Sequence, residues 1–508
     1  MNLTIDPWIP AVRPDGTRGL FSLQDLFAQA HELRDLAVKP HERIALMRLL
    51  LCTTQAALNG PADQDAWEQC EPLIQPLVRD YLDKWQAAFE LFGDGPRFLQ
   101  VKTGVLAAAV PVMEQEGIAR LNLSMASGES NATLFDNSAS DQRAFTPAES
   151  ALSLLTYQCY SPLLGRGYKG RSPCADESML HTFRVGPNLL ATLRLNLLTR
   201  ETCRDSYGHH GMGRPLWEVW SSNKPSLEVT QLLTSSYLGR LVPLARAVWL
   251  DGPKSMTLGN ALVYDGFEDS GYREASATIV AAGSKLALLS AKSDRAFWRE
   301  LPAVCVTRRQ GDGVSGPLAF RNPSPAAEIS IWAGALLFPK KNAKIEDSIE
   351  STYRLPAGMF TDFGRLAYEK GVAFAEAVDD PGKGPLIRAV KEYSDTLWIS
   401  KPAYDRARQH FWTSVEQRSL CRRARIRRAR QHFWTSVEQH LSALIDLARN
   451  MELAADLPNC AWGKAVQRAA REAYESACPR QTPRQIQAFA LGLRKFTFTP
   501  KSAKPSTK

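Results

Sequence analysis

The chain has 508 residues, of which 44% are hydrophobic and 23% charged, the composition of a folded globular protein and not of a disordered one. Lysine and arginine outnumber aspartate and glutamate by 62 to 53, and the resulting net charge of +9 points to an acidic partner such as nucleic acid, but only weakly. Nine cysteines with no CxxC pair exclude a disulfide framework and a zinc knuckle of ordinary spacing.

The start, MNLTIDPWIPAVRPDG, lacks the basic and apolar runs of a signal peptide. The run from Ile44 to Cys52 is interrupted by Arg48 and is far shorter than a membrane span. With its scattered single cysteines, the chain reads as a cytoplasmic protein with no membrane partner.

Leu3 to Pro10 alternates like an edge strand, and Pro14-Asp15-Gly16 reads as a turn before an element at Leu20 to Phe27. Ile44, Met47, Leu50, Leu51 and Leu58 recur at helical spacing between His41 and Asn59, and Gly60-Pro61 stops that helix. A second helix is predicted from about Glu71 to Phe92, with Leu73, Leu77, Tyr81, Trp85, Phe89 and Phe92 on its core stripe and Pro76 delaying its start. Residues 122–145 are polar and loop-like. Thr146-Pro147-Ala148-Glu149 then spells a capping box with proline at the first helical position, and the helix continues through Tyr160.

Residues 228–340 mix short β-like runs, Ala277 to Ala281 and Val304 to Thr307, with turns and helical pieces. Pro381 to Pro385 reads as a hinge or linker, and the chain beyond it is helical and rich in arginine and alanine. There RARQHFWTSVEQ occurs twice, at Arg406 to Gln417 and Arg428 to Gln439, an offset of 22 residues. That offset is close to whole helical turns of ~3.6 residues, so one continuous helix would keep both copies on nearly the same face. The arginine-dense stretch between them suits phosphates, although a solvated helix face is the commoner reading.

No P-loop, HExxH, GxSxG or zinc deaminase pattern is present. The most enzyme-like patch is Tyr207 to Arg214, where His209 and His210 are adjacent. No carboxylate stands at ligand spacing from them, and a polar loop is the simpler reading. Gly165-Arg166-Gly167-Tyr168-Lys169-Gly170-Arg171 is more informative. Its glycines permit close approach of the backbone to a partner, with Lys169 and two arginines at hand for phosphates. Taken alone it is equally a solvent loop. Pro339-Lys340-Lys341-Asn342-Ala343-Lys344 follows the apolar run Ile329 to Phe338 and reads as a basic turn, in which lysines would meet phosphates and Asn342 a base edge.

The ordered set of motifs resembles the CasA family, the large subunit of the bacterial type I-E CRISPR Cascade complex. The resemblance rests on MNLTIDPWIP, Tyr81 to Trp85, Phe89 to Gly93, Pro96 to Gln100, Ser130 to Asn137, the glycine-rich loop and Pro215 to Glu218, in that order across nearly the whole chain. It implies an α+β protein: a large mixed α/β N-terminal domain, placed at 1–365, followed by a C-terminal four-helix bundle, placed at 366–508. It further implies a non-catalytic subunit that recognises the PAM in double-stranded DNA, largely from the minor groove, promotes duplex opening and helps recruit the helicase-nuclease. The implied partners are the other Cascade subunits, the 5′ handle of the guide RNA, target duplex and the effector.

Matched by position, Gly165, Gly167 and Gly170 with Lys169 correspond to the family's glycine loop. Lys341 and Asn342 correspond to the tip of a wedge, where the family often carries glutamine. Leu134, Phe135, Asp136 and Asn137 correspond to the loop that docks near the RNA handle, and Lys254 to a lysine that reaches the PAM. Some members hold zinc with cysteines that this chain lacks, so no metal and no other cofactor is expected. Guide pairing supplies sequence specificity in such complexes, so the protein itself needs to read only a short motif. A glycine loop fits the narrow minor groove, and a wedge can fill the space where the first base pair unstacks. Two alternatives stand beside this reading: a metal-dependent nuclease or phosphoesterase centred on His209 and His210, and a purely structural scaffold.

Overall fold

The computed structural model describes residues 1–102, 114–123, 143–161, 172–175, 178–220, 225–307, 311–324, 326–337, 345, 347–398 and 411–498, with backbone alone at 114–115 and 411–419. The chain divides into two compact units, Met1–Leu355 and Pro356–Lys508.

The strands of the first unit are β1 (Ile9–Val12), β2 (Arg18–Phe21), β3 (Asp35–Leu36), β4 (Glu114–Gly117), β5 (His181–Val185), β6 (Arg246–Leu250), β7 (Ser255–Asn260), β8 (Ile279–Ala282), β9 (Lys285–Leu288), β10 (Glu328–Leu337) and β11 (Asp347–Pro356). They form small sheets in the orders β2-β1-β3, β11-β10-β5, β4-β7-β6 and β8-β9. At the start, Arg13 donates to the Thr17 carbonyl at 2.9 Å and Gly16 to that of Arg13 at 3.0 Å, closing the turn at Pro14-Asp15-Gly16. Gly16 takes φ 89°, which a side chain would resist. Two expectations change here. Leu3 to Ile5 do not continue the strand, and β1 is the middle strand of its sheet. It tolerates Pro10 because β3 pairs only with Ala11 and Val12, so the missing donor falls past the end of that ladder.

The Pro40–Leu58 helix is buried on nearly every side, with Ile44, Leu46, Met47, Leu49 and Leu50 all out of water. It ends where Asn59 and Gly60 both turn to positive φ, at 52° and 63°. A short helix at Gln64–Gln69 intervenes before the second predicted helix, which spans Glu71–Trp85 and passes through Pro76 without delay. Its buried stripe is Ile74, Val78 and Leu82, one residue out of phase with the predicted one, so Leu73 and Leu77 stand exposed. Thr146 and Glu149 form the expected capping box at the head of the Pro147–Tyr160 helix. The Val304 to Thr307 run is not a strand. Val304 ends a short Leu301–Val304 helix, whereas β8 and β9 form a hairpin through Gly283.

The second unit is helical. Among the described residues its long helices are Asp362–Val378, Pro385–Trp398, Phe411–Glu438 and Ala461–Ala477, with shorter ones at Leu441–Arg449 and Pro483–Leu493. The Phe411–Glu438 helix runs unbroken from the middle of the first RARQHFWTSVEQ copy through most of the second. The second copy buries Ala429, Phe433 and Val437, at i, i+4 and i+8, so its apolar residues serve the core of the bundle. Among the described residues, no helix is long and apolar enough to cross a membrane.

Candidate nucleic-acid interface

Most of the residues singled out in the sequence lie outside the described residues: Leu134, Phe135, Asp136, Asn137, Gly165, Gly167, Lys169, Gly170, Lys341 and Asn342. The segments that carry them are nevertheless bounded by described structure, and Lys254 is itself described.

The bounds of the glycine-rich segment are the end of the Pro147–Tyr160 helix and the turn after Ser172. The Cys174 amide donates to the Cys159 carbonyl at 3.1 Å, and the Ser172 hydroxyl to the Ser161 carbonyl at 3.4 Å. Around this stem lies a buried ionic triad. Glu274, 2% exposed, is paired with Arg48 and Arg240, at 1% and 2%. Arg48 also donates to the Leu241 carbonyl at 3.0 Å and to that of Arg240. Burial pushes the Glu274 carboxyl up, but the two guanidiniums outweigh it and hold the carboxyl below its ordinary range. Three segments distant in sequence are thereby pinned together.

Lys341 and Asn342 belong to the link between β10 and β11, which neighbour each other in one sheet. Only Ser330 to Gly334 of β10 pair with β5, so Ala335 to Leu337 run on past it toward the link. Trp332 anchors the pair of strands. Its indole N–H donates to Glu350 on β11 at 2.6 Å, and Arg43 lies over its ring at 4.8 Å. β5 ties this sheet to the glycine-loop stem: His181, opposite Gly334 of β10, packs edge-on against the ring of Tyr160, the last residue of the Pro147–Tyr160 helix, at 6.2 Å, and its Nδ1 shares a hydrogen bond with the Ser276 hydroxyl at 2.8 Å.

Lys254 stands elsewhere. It is exposed in the turn between β6 and β7, where its carbonyl accepts from the Ile118 amide at 3.0 Å. The neighbouring Pro253 carbonyl accepts from Phe145 at 2.8 Å. Ile118 and Phe145 lie on either side of the stretch that contains Leu134 to Asn137, so Lys254 sits at the stem of the predicted docking loop. The Pro147–Tyr160 helix then runs from this turn to the other end of β6, where Gln158 donates to the Arg246 carbonyl at 2.8 Å and accepts its amide at 2.9 Å. A helix of 14 residues spans about 21 Å at ~1.5 Å per residue, and that length separates Lys254 from the glycine-loop stem.

The same hairpin carries a basic feature that sequence reasoning missed. Trp249 on β6 is flanked by the Arg97 guanidinium, 3.8 Å from its ring, and by the Lys102 ammonium at 4.6 Å. Arg97 is held there by donating to the Leu250 carbonyl at 3.0 Å and to that of Gly93 at 2.7 Å. The only local signal was a pair of cations around Phe98; the aromatic partner is far along the chain.

His209 and His210 occupy a short 3₁₀ turn with ring centroids 3.8 Å apart. Burial, and then the charge of His209, lowers the value for His210. Among the described residues no set of three histidine, cysteine or carboxylate side chains is placed to hold a metal.

The family model for CRISPR-associated protein Cse1 matches residues 2–473. The chain belongs to the Cse1 family. That family, CasA/Cse1, is the one to which the large subunit of type I-E Cascade belongs. A CRISPR-associated protein CasA/Cse1 from Thermus thermophilus is 29% identical over 396 residues, covering 74% of this chain and 75% of that protein. A crystal structure of Thermus thermophilus CasA superposes with a TM-score of 0.74 at 21% identity, covering 98% of each chain. A chain of a CRISPR RNA-guided surveillance complex superposes with a TM-score of 0.69 at 17% identity, covering 98% of this chain and 99% of that one. The mixed first unit and the helical second unit are thus the Cse1 fold.

Proposed function

We propose that this Cse1 family member is the subunit of a cytoplasmic type I-E Cascade complex that recognises the PAM in double-stranded DNA. It promotes opening of the duplex for guide RNA pairing and helps recruit the helicase-nuclease, without cutting DNA itself. Its other partners are the remaining Cascade subunits and the 5′ handle of the guide RNA, met by Leu134, Phe135, Asp136 and Asn137.

The observation that carries this reading is the shared framework around β5. The glycine-loop stem and the strands that lead to Lys341 and Asn342 are joined where His181 packs on Tyr160, so elements proposed to read and to wedge the duplex issue from one buried support. In this proposal Gly165, Gly167 and Gly170 let the backbone enter the minor groove, with Lys169 on a phosphate. Lys341 and Asn342 occupy the space of the first unstacked pair, and unstacking costs roughly a few kcal/mol that the other contacts offset. Lys254, a helix length away, meets the backbone beside the docking loop. The regions proposed as the N-terminal PAM-reading domain and the C-terminal bundle are 1–365 and 366–508.

The test uses the assembled complex with the double substitution Lys341→Ala, Asn342→Ala. Its affinity for PAM-containing duplex should fall by about tenfold, on the order of 1–3 kcal/mol for a lost base-reading contact, with assembly intact. Equal binding by variant and wild-type complexes across a set of PAM sequences would remove the wedge assignment.

A further inference from the structure

We propose that a cavity in the first unit binds one unpaired nucleotide of a single-stranded nucleic acid, its base stacked among tryptophans and its phosphate held by Lys84 and Arg97. The cavity measures about 340 Å³, within the roughly 300–1,000 Å³ of pockets that take small organic ligands. Three segments converge on it: the end of the Glu71–Trp85 helix, the stretch from Pro96 to Val101, and the short Leu216–Val219 helix with Trp220 after it. These segments overlap motifs on which the family resemblance rests, and the function proposed above gives none of them a role.

The walls suit a flat aromatic ring. Phe98 and Trp217 are buried, at 2% and 8% exposure, and Trp85 and Trp220 stand half-buried around the same space. Trp217 is fixed in place. Its indole N–H donates to the Tyr81 hydroxyl at 2.7 Å, and its ring lies 5.1 Å from that of Phe89, which stacks on Phe98 at 5.3 Å. Tyr81 in turn donates to Glu218 at 2.6 Å. A base that enters meets rings already held, so little ordering opposes it. Gln100 at the wall has its amide engaged, donating to the Leu91 carbonyl at 2.7 Å and accepting from the Leu250 amide at 3.0 Å. The cavity therefore holds a base by stacking, which every base offers, and not by reading its edge.

The charges select an anion. Among the described lining residues Lys84 and Arg97 are the charged ones, and both are cations. Lys84 is exposed beside Trp85, its ammonium 5.4 Å from the ring. Arg97 uses two guanidinium nitrogens on the Gly93 and Leu250 carbonyls, and among the described residues its third has no acceptor. Arg97 and Lys102 share the Trp249 ring, at 3.8 and 4.6 Å, so a further cation stands ready for the neighbouring phosphate of a strand. That continuation favours a residue within a strand over a free nucleotide. An aromatic side chain of a protein would fill the cavity but give these cations nothing to bind.

The full-length chain is titrated with adenosine, 5′-AMP and a single-stranded adenylate hexanucleotide, and binding is followed by tryptophan fluorescence and calorimetry. The hexanucleotide should bind tighter than AMP, and AMP tighter than adenosine, with the hexanucleotide weakening as salt rises. AMP that binds as tightly as the hexanucleotide overturns the strand in favour of a free nucleotide. Adenosine that binds as tightly as AMP overturns the phosphate contact, and points to an apolar side chain of a partner protein as the occupant.

Two variants place the binding in the cavity. Lys84→Gln, at an exposed position, should weaken AMP and the hexanucleotide about tenfold and leave adenosine unchanged. Trp85→Leu should weaken all three about tenfold, the usual loss of one stacking ring, and Trp85→Phe should recover most of that loss. If Trp85→Leu does not fold, Lys84→Gln and Trp85→Phe still decide. Hexanucleotide affinity that Lys84→Gln leaves unchanged puts the strand elsewhere on the protein and overturns the site. None of these readouts involves the PAM, so their outcome is independent of the function proposed above.

Discussion

Glu274 in the first unit and Asp379 in the second are both carboxylates taken almost wholly out of water, at 2% and 3% exposure, yet they are compensated differently. Glu274 is enclosed by two guanidiniums that are themselves buried. Asp379, at the C-terminal cap of the Asp362–Val378 helix, accepts from Arg430 at 2.8 Å and from the Trp434 indole at 2.9 Å, and the Arg430 side chain is 48% exposed. In the first case three ions lose their hydration together, and none can regain it without opening the unit. In the second the cation keeps much of its water. A buried triad contributes little net energy over an apolar core, but removing one member leaves the others stranded. A carboxylate with a half-solvated partner is more forgiving.

The largest effect is therefore expected from Glu274→Gln. It leaves Arg48 and Arg240 facing a neutral amide, and the loss should be about 3–5 kcal/mol in denaturant unfolding. A loss below about 1 kcal/mol would show that the guanidiniums reach water and that the contrast between the units is false. The pH dependence sharpens the point. The folded value of Glu274 lies below its ordinary 4.5, so its contribution is complete above 4.5 and is lost as pH falls through the lower folded value. The wild type should lose this part of its stability below pH 4.5, and Glu274→Gln should lack that part of the acid transition.

Asp379→Asn should cost less, about 1–3 kcal/mol, because Arg430 finds solvent and the amide oxygen still accepts from one donor. The measurement is the same unfolding experiment, read alongside that of Glu274→Gln. Equal losses in the two variants would mean that exposure of the cation does not moderate the cost.

The two regions also differ in how much of them was legible. The described part of the second unit is helical, and its apolar spacing is a local signal; the second copy of the repeat presents Ala429, Phe433 and Val437 at helical intervals. The capping box at Thr146 and the turn at Gly16 were equally local. The triad was not. Arg48 reads as a break in an apolar run because its partner is 226 residues away, and nothing near it in sequence announces a buried charge. The stripe of the Glu71–Trp85 helix slipped by one position for a related reason. Leu73 and Ile74 are equally apolar, and only the elements that pack on the helix decide which faces inward. For the candidate site, the ordered motifs led to the family, and the glycines, Lys341, Asn342 and the docking loop were named through that resemblance alone. The Trp249 sandwich with Arg97 and Lys102 escaped notice because it joins residues some 150 positions apart.

The smallest predicted effect tests whether the stem of the glycine-rich segment feels the far end of its own helix. The Thr146 hydroxyl accepts from the Glu149 amide at 3.2 Å, and the Glu149 carboxylate accepts from the Thr146 amide at 2.7 Å. Thr146→Ala removes the first bond and keeps the second, so the loss should be about 1 kcal/mol. Thr146 caps the first turn of the Pro147–Tyr160 helix, while Cys159, beside Arg48, is in the last. Sites that far apart without shared partners add to within roughly 0.5 kcal/mol. Thr146→Ala combined with Glu274→Gln should therefore cost the sum of the two single losses. A double variant that departs from additivity by more than that would mean that the helix transmits strain from its capped end to the triad. In that case the docking-loop stem at Phe145 and the glycine-loop stem at Cys159 would act as one mechanical element instead of two.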